Sequence, residues 1–311
     1  MLAGNRLQSL PDELSACLNL ELIRIAANQL TAFPQWLLTM PRLAWVAYAG
    51  NPFCAELSAA QHSPTHLEHI DWGELAVGEQ LGQGASGVIY RAIWNQDSFP
   101  REVAVKLFKG NVTSDGLPGD EMQACIAAGP HQNLVGVLGK VINHPEQKEG
   151  LVFPLIPADF STLGGPPSLE SCTRDTYEPG TQFGLGMGLR IAQSIAAAAS
   201  YLHGRGILHG DIYPHNILTD VSGDSYLGDF GAAAFFDVAD ADRSTALERI
   251  EIRAFGCLLQ DLLERCPPTD RAAHSEVFNA LQQLQKACMS PTVMGRPLFK
   301  TICNELGGLA V

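Results

Sequence analysis

The sequence predicts two units: a short α/β repeat solenoid over residues 1–54 and an α+β domain of two lobes over residues 70–308. A cap and linker at residues 55–69 join them. Three observations support this division: a 23-residue repeat, a change to strand-like runs near residue 70, and a loop near residue 210 in which an acidic residue stands five positions before an amide. A chain of 311 residues with 46% hydrophobic content is long enough to bury both cores.

Charge and composition narrow the classes of partner. The formal net charge is -13, from 20 basic and 33 acidic residues. Phosphate backbones and anionic lipids would repel such a chain, so no nucleic acid partner is expected. No apolar run approaches the roughly 20 residues of a membrane span. The eight cysteines are scattered without a CxxC pair, which disfavours disulfide and zinc frameworks and favours a cytoplasmic location.

The first 54 residues repeat with a period of 23, which brings Asn5, Asn28 and Asn51 into equivalent positions. Apolar residues precede Asn28 and Asn51 in the pattern L-x-x-L-x-L-x-x-N-x-L. A period of 23 excludes an ordinary amphipathic helix, whose period is about 3.6 residues. The pattern resembles leucine-rich repeats, and the resemblance implies a surface that recognises a protein substrate or partner.

The repeat array opens in mid-repeat and holds fewer than the three or so units that such arrays need. Two explanations stay open. Either the chain begins downstream of the natural start, or the array borrows stability from the domain that follows.

A glycine-rich loop, G-x-G-x-x-G, lies between two strand-like runs and comprises Gly82, Gly84 and Gly87. Because the loop leads into a strand and not a helix, it does not predict a dinucleotide-binding fold. The motif is weak alone, but Val103-Ala104-Val105-Lys106 follows it, and Glu121 comes fifteen residues after Lys106.

The loop from His209 to Leu218 has Asp211 five positions before Asn216, and thirteen residues later comes the triplet Asp229-Phe230-Gly231. Their order and spacing, together with the glycine loop and Lys106, resemble the signature motifs of protein kinases. The resemblance implies a protein kinase-like fold with an N-lobe at about 70–156 and a C-lobe at about 157–308. It also implies ATP and Mg²⁺ as cofactors.

The same resemblance assigns roles to individual residues. Asp211, Lys106 and Asn216 are the implied catalytic residues, and Asn216 and Asp229 the implied magnesium ligands. Asp211 would orient the substrate hydroxyl or accept its proton, and Lys106 would hold the α- and β-phosphates. The implied nucleotide-binding residues are Leu81, Gly82, Gly84, Ser86, Gly87, Val88, Ala104, Lys106, Glu121, Phe153, Ile156 and Asp229.

Three departures from the kinase pattern bear on activity. Gly210 replaces the usual arginine before the catalytic aspartate, and Tyr213 stands where a charge-neutralising lysine is usual. The segment between Gly231 and the next helical run is short for peptide docking. Losing one cation near the transferred phosphate can lower the rate by orders of magnitude, so slow catalysis is expected.

Three functions therefore stay open. The first is an ATP-dependent protein kinase, with Ser/Thr preference suggested only by Pro214. The second is a small-molecule phosphotransferase of the aminoglycoside or choline kinase type, which the H-G-D loop also resembles. The third is a nucleotide-binding pseudokinase scaffold, suggested by Tyr213.

Overall fold

The computed structural model describes residues 2–60, 67–96 and 99–311. The strands are β1 (Leu22–Arg24), β2 (Trp45–Ala47), β3 (Glu68–Asp71), β4 (Leu75–Gln83), β5 (Gly87–Gln96), β6 (Phe99–Phe108), β7 (Gly139–Ile142), β8 (Gly150–Pro154), β9 (Ser161–Thr162), β10 (Ile207–Leu208), β11 (Ile217–Thr219), β12 (Ser225–Leu227) and β13 (Ala234–Phe235). The helices are α1 (Ala55–Ala60), α2 (Pro118–Ala128), α3 (Leu185–Gly204), α4 (Ala241–Glu264), α5 (Pro268–Ala273), α6 (Ser275–Cys288) and α7 (Phe299–Gly307). Short 3-10 turns cover Asp12–Ala16, Gln35–Thr39, Pro52–Cys54, Trp72–Glu74, Pro214–Asn216 and Val293–Gly295.

The N-terminal unit is built on the 23-residue period. Strands β1 and β2 are parallel, and Ile23 lies opposite Val46. Asn28 and Asn51 each tie two successive coils together, whereas Asn5, within the described residues, donates only to carbonyls of Leu2 and Ala3. The side-chain amide of Asn51 donates to the carbonyls of Ile25 (2.9 Å) and Tyr48 (2.8 Å), while its oxygen accepts the N–H of Leu30 at 3.1 Å. Backbone groups that a turn would otherwise leave unpaired are thus satisfied inside the unit.

The N-lobe is a six-stranded sheet in the order β3-β7-β8-β6-β5-β4, with α2 beside it. Alternate residues of β6 point to opposite faces of the sheet. Val103, Val105 and Leu107 enter the buried core of this lobe, which leaves Lys106 on the other face. The sheet starts with Glu68, two residues before the boundary that the sequence predicted, because β3 pairs in parallel with β7.

The C-lobe is built on helices α3 and α4, which contact each other, with α6 packed against α4 and α7 against α3. The stretch from residue 159 to 184 connects the lobes, and α3 begins at Leu185. Gly188 is buried in this helix and faces Leu262 of α4, and a Cβ built on it would be in ordinary contact with Leu262 at 3.8 Å. Within the described residues, no helix is long and apolar enough to cross a membrane.

The N-terminal unit and the C-lobe share one apolar core. Leu43 and Tyr48 of the repeat pack in a single buried cluster with Phe236, Leu247 and Ile250 of the C-lobe. One explanation for the short repeat array was that contacts with the following domain stabilise it. The shared core provides such contacts. The apolar surface between the two units is removed from water in both, so their stabilities are coupled.

Two buried arginines of the C-lobe hold backbone carbonyls of the repeat. Arg253 donates through Nε to the carbonyl of Arg42 at 2.9 Å, and Arg296 donates to the carbonyl of Pro41 at 2.7 Å. Burial lowers the pKa of Arg296 to about 10. The charge is nevertheless well solvated by the protein, because further carbonyls of Arg249 and Ser290 also accept from it.

Gly210 lies where the repeat and the C-lobe come closest. Its φ is +79°, and a Cβ built there would lie 2.7 Å from the carbonyl oxygen of Val46 and 2.6 Å from that of Ala232. Both the backbone conformation and the space therefore require glycine. The arginine that the kinase resemblance expects at this position would occupy the same volume as strand β2.

Replacing Leu43 with alanine tests whether the two units unfold together. Leu43 is fully buried, so Leu43→Ala should cost about 2–5 kcal/mol of unfolding free energy. The midpoint of urea unfolding should shift by the same amount whichever probe is used. Tryptophan fluorescence reports the repeat and the N-lobe, and far-UV circular dichroism is dominated by the C-lobe helices. Leu18→Ala is the control, because Leu18 is 59% exposed; it should change stability by less than about 0.5 kcal/mol. A shift in fluorescence alone would contradict the shared core.

Replacing Gly210 with alanine tests the close approach itself. Gly180 is a matched control, since its φ is +85° but nothing lies within 4 Å of its missing Cβ. Gly180→Ala should cost roughly 1–2 kcal/mol from backbone strain alone. Gly210→Ala should cost about 1–3 kcal/mol more, because the added carbon overpacks the interface. Equal losses of unfolding free energy in the two variants would show that strand β2 does not press on Gly210.

Candidate active site

A cavity of about 110 Å³ lies between the glycine loop and the triplet at residue 229. Gly84 to Gly87 line one side, and Lys106, Asp115 and Asp229 line the others. The glycine loop is folded against β6, where the N–H of Lys109 donates to the carbonyl of Ser86 at 2.8 Å. The cavity has room for phosphate groups rather than for a whole nucleotide.

The sheet register corrects one of the predicted nucleotide-binding residues. Val88 lies opposite Leu107, on the face that carries the buried core of the N-lobe. Ile89 lies opposite Lys106 and lines the cavity. Because side chains alternate along a strand, the residue that faces the cavity is Ile89 and not Val88. An offset of one residue in aligning the glycine-loop motif therefore selected a side chain on the opposite face of the sheet.

The other residues predicted near the base of the nucleotide are not among those that line the cavity. Ala104 is directly opposite Phe153, and both share a face with Lys106. Leu81 is 48% exposed at the end of β4, beside Gly82, which pairs with Ile89. Ile156 follows the end of β8 by two residues.

Lys106 and Glu121 form an ion pair between β6 and α2. Glu121 is only 2% exposed, and burial raises its pKa despite the nearby ammonium. For Lys106, burial acts to lower the pKa, but the carboxylates of Glu121 and Asp229 outweigh burial and the net direction is upward. Lys106 therefore keeps its charge next to the cavity.

Asp211 and Asn216 are linked by hydrogen bonds within the 209–218 loop. The side-chain nitrogen of Asn216 donates to the carboxylate of Asp211 and to its backbone carbonyl, both at 3.0 Å. The amide oxygen of Asn216 is thereby turned away from Asp211. His209 contacts the carbonyl of Gly228 at 2.9 Å, and its ring packs against Phe230, so it has a structural role.

Asp229 and Asn216 carry oxygen donors of the kind that a magnesium site uses, but of the two only Asp229 lines the cavity. Asp229 has a φ of +53°, and its carboxylate accepts the N–H of Gly231 at 3.1 Å while remaining exposed on the cavity wall. Mg²⁺ prefers oxygen ligands, commonly one or two from protein together with waters and phosphate oxygens. Among the described residues, no cluster of three or more His, Cys, Asp or Glu side chains could form a closed metal cage. A magnesium site here would therefore be an open one with few protein ligands.

A residue of the long inserted loop holds the 209–218 loop in place. The carboxylate of Asp175 accepts the N–H of His215 at 2.6 Å and contacts its Nδ1 at 2.8 Å. Burial tends to lower the pKa of His215, but the hydrogen bond to Asp175 and the negative charges of Asp175, Asp211 and Asp229 together outweigh burial and raise the pKa. Sequence reasoning missed Asp175, because the composition of a Gly- and Pro-rich insert carries no signal for a contact forty positions away.

The N-terminal unit also reaches this loop. The indole of Trp45 stacks on Tyr213, with ring centroids 4.2 Å apart and an interplanar angle of 8°, and its Nε1 donates to the carbonyl of Ile212 at 3.1 Å. Tyr213 is only 2% exposed, and burial raises the pKa of its hydroxyl. Tyr213 is therefore a packing residue for the repeat.

Arg24 of strand β1 makes the most direct contact between the repeat and the site. Its guanidinium lies 2.9 Å from the carboxylate of Asp211 and also forms an ion pair with Asp115 on the cavity wall. Burial raises the pKa of Asp211, and the positive charges of Arg24 and His215 oppose that shift. No local motif in the sequence pointed to Arg24.

Comparisons with known proteins find protein kinases among the relatives of this chain. A probable serine/threonine-protein kinase of Dictyostelium discoideum, gdt4, is 27% identical over 76% of this chain and 16% of its own length. A probable leucine-rich repeat receptor-like protein kinase of Arabidopsis thaliana is 31% identical over 64% of this chain and 31% of its own length. CBL-interacting protein kinase 29 of Oryza sativa subsp. japonica is 27% identical over 60% of this chain and 42% of its own length. The chain thus spans less than half the length of each of these relatives.

Residues 75–258, more than half of the chain, match the family described as protein tyrosine and serine/threonine kinase. The matched range contains the glycine loop, Lys106, Asp211 and Asp229. The chain belongs to the protein tyrosine and serine/threonine kinase family.

Proposed function

We propose that the chain transfers the γ-phosphoryl group of Mg-ATP to a serine or threonine hydroxyl of a protein. The observation that supports this most is the convergence of the glycine loop, Lys106 and Asp229 on one cavity, with Asp211 beside it. The relatives named as serine/threonine kinases support the choice of hydroxyl.

In the proposed reaction, Asp211 accepts the proton of the substrate hydroxyl. The hydroxyl oxygen forms a bond to the γ-phosphorus, and the bond between that phosphorus and the bridging oxygen breaks as ADP leaves. Asp211 lies in a buried site, where burial raises its pKa and makes it a better proton acceptor than an exposed carboxylate. Its hydrogen bond from Asn216 fixes the direction of the carboxylate.

The nucleotide and metal would be held by this chain's own polar groups. Lys106, kept charged and oriented by Glu121, would bind phosphate oxygens, and the N–H groups of the glycine loop would line the same side. Asp229 and the amide oxygen of Asn216 would hold Mg²⁺. When bound, the metal supplies charge neutralisation at the β- and γ-phosphates.

We further propose that the N-terminal unit is a leucine-rich repeat array that binds a protein partner. Its parallel strands and coil-bridging asparagines support the assignment. The partner would use a cleft of about 400 Å³, which is lined by residues between positions 8 and 15 of one coil and by residues 31–36 of the next. All eight cysteines are free thiols, which supports our proposal of a cytoplasmic location.

A nucleotide-binding scaffold without transfer is the second candidate. It is favoured by the contact between Arg24 and Asp211, which could hold the aspartate away from a substrate. It is also favoured by the burial of Tyr213, which brings no positive charge to the site.

Radiolabelled ATP with Mg²⁺ and a generic protein acceptor tests the proposal. Asp211→Asn and Lys106→Met should each lower phosphate incorporation by at least about 100-fold, because each removes a charge that acts on the transferred group. Lys140→Met is the matched control, since Lys140 is partly exposed and pairs with Glu149 on the surface; it should leave the rate unchanged. Tight ATP binding by the unmodified chain, with incorporation no higher than in Asp211→Asn, would favour the scaffold instead.

A further inference from the structure

We propose that Arg24, a residue of the N-terminal repeat, is a catalytic residue that supplies the positive charge missing from position 213 of the kinase loop. The inference rests on the proposed transfer reaction and extends it, because it makes the repeat part of the active site. A residue 187 positions away in the chain would thus complete the loop.

The position of Arg24 fits this role. Its guanidinium lies between two carboxylates, 2.9 Å from Asp211 and in an ion pair with Asp115. Asp115 lines the cavity in which the phosphates would lie. The charge of Arg24 is therefore placed between the group that would accept the proton and the wall of the phosphate site. Among the residues that the structure describes, none accepts from its Nε, so the guanidinium keeps a donor beyond those used by the carboxylates.

The charges around the cavity show why another cation is needed. Three carboxylates, those of Asp115, Asp211 and Asp229, lie in or beside it. Lys106 is already paired with Glu121. A phosphate group entering this site brings further negative charge, and its transfer is stabilised by preorganised cations in a site shielded from water. Arg24, whose side chain is 11% exposed, meets this description.

The two unusual residues of the loop fit the same arrangement. Gly210 leaves room for the carbonyl of Val46 in strand β2. Tyr213 provides the surface on which Trp45 of that strand stacks. Strand β1, which carries Arg24, is hydrogen-bonded in register to β2. Positions 210 and 213, where the kinase pattern has an arginine and a lysine, are thus the positions against which strands β1 and β2 pack. Strand β1 carries Arg24.

The contact leaves Asp211 able to act on a substrate. An ionised carboxylate has about four acceptor positions on its two oxygens. Arg24 occupies one on Oδ1, and Asn216 occupies one on Oδ2. Acceptor positions on Asp211 therefore remain for a substrate hydroxyl. The contact with Arg24 does not block the carboxylate.

Variants of Arg24 in the full chain test the proposal by rate and by binding. Arg24→Met should lower kcat by roughly 100-fold and leave KM for the protein acceptor little changed, because the lost interaction acts on the transferred phosphate. Arg24→Lys should retain more activity than Arg24→Met, since it keeps the charge. Arg42→Met is the control from the same unit, because the Arg42 side chain is 49% exposed; it should match the unmodified chain.

Calorimetric titration with Mg-ATP and Mg-ADP gives a readout that does not need turnover. The preference for ATP over ADP should fall in Arg24→Met and be kept in Arg42→Met, because only ATP carries the γ-phosphate. Thermal unfolding identifies any variant that fails to fold; if Arg24→Met does so, Arg24→Gln, which also removes the charge, replaces it in the comparison.

The outcomes separate this inference from the proposed function. Unchanged or increased kcat in a folded Arg24→Met variant would overturn the inference, and an increase would identify Arg24 as an inhibitory contact. If the unmodified chain binds ATP but transfers nothing, the proposed function fails. In that case, an unchanged ATP-over-ADP preference in Arg24→Met would overturn the inference as well.

Discussion

The close approach of strand β2 to Gly210 is the constraint on which the rest of the structure depends. A carbonyl oxygen of the repeat lies where any side chain at position 210 would begin, so the repeat and the kinase loop exclude each other unless that residue is glycine. Once the strand is seated there, Trp45 covers Tyr213 and strand β1 presents Arg24 to Asp211. Considered within the kinase loop alone, Gly210 and Tyr213 are departures that remove an arginine and a lysine. In the whole structure, they are the residues that allow the repeat to pack against this loop.

The repeat also connects the two lobes. It packs against the C-lobe through a shared core and through the buried arginines Arg253 and Arg296. On the N-lobe side, the missing Cβ of Gly50 would lie 3.2 Å from Leu117, just before the helix that carries Glu121. A unit that touches both sides of the cleft favours one relative position of Lys106 and Asp211. That position is the one in which the ion pair of Lys106 with Glu121 is formed.

Local patterns in the sequence predicted much of the site, because the spacing of a motif reflects the backbone of one strand or one turn. The 23-residue period and the grouping of Lys106 with Asp229 follow from such patterns. The contact of Arg24 with Asp211 could not be predicted in this way, since it depends on how two units pack and leaves no periodic trace. The choice of Val88 over Ile89 failed for another reason: strand faces alternate at every residue, so an offset of one selects the wrong face.

A double-mutant cycle between Trp45 and Tyr213 tests most directly whether the repeat is built into the kinase loop. The unfolding free energies of Trp45→Ala, Tyr213→Ala and the double variant would be measured in urea. If the rings stack as the structure has them, the two substitutions should be non-additive by about 0.5–1.5 kcal/mol, the usual coupling of an aromatic pair. Additive losses would contradict the account, because they would mean that the repeat and the loop do not stabilise each other.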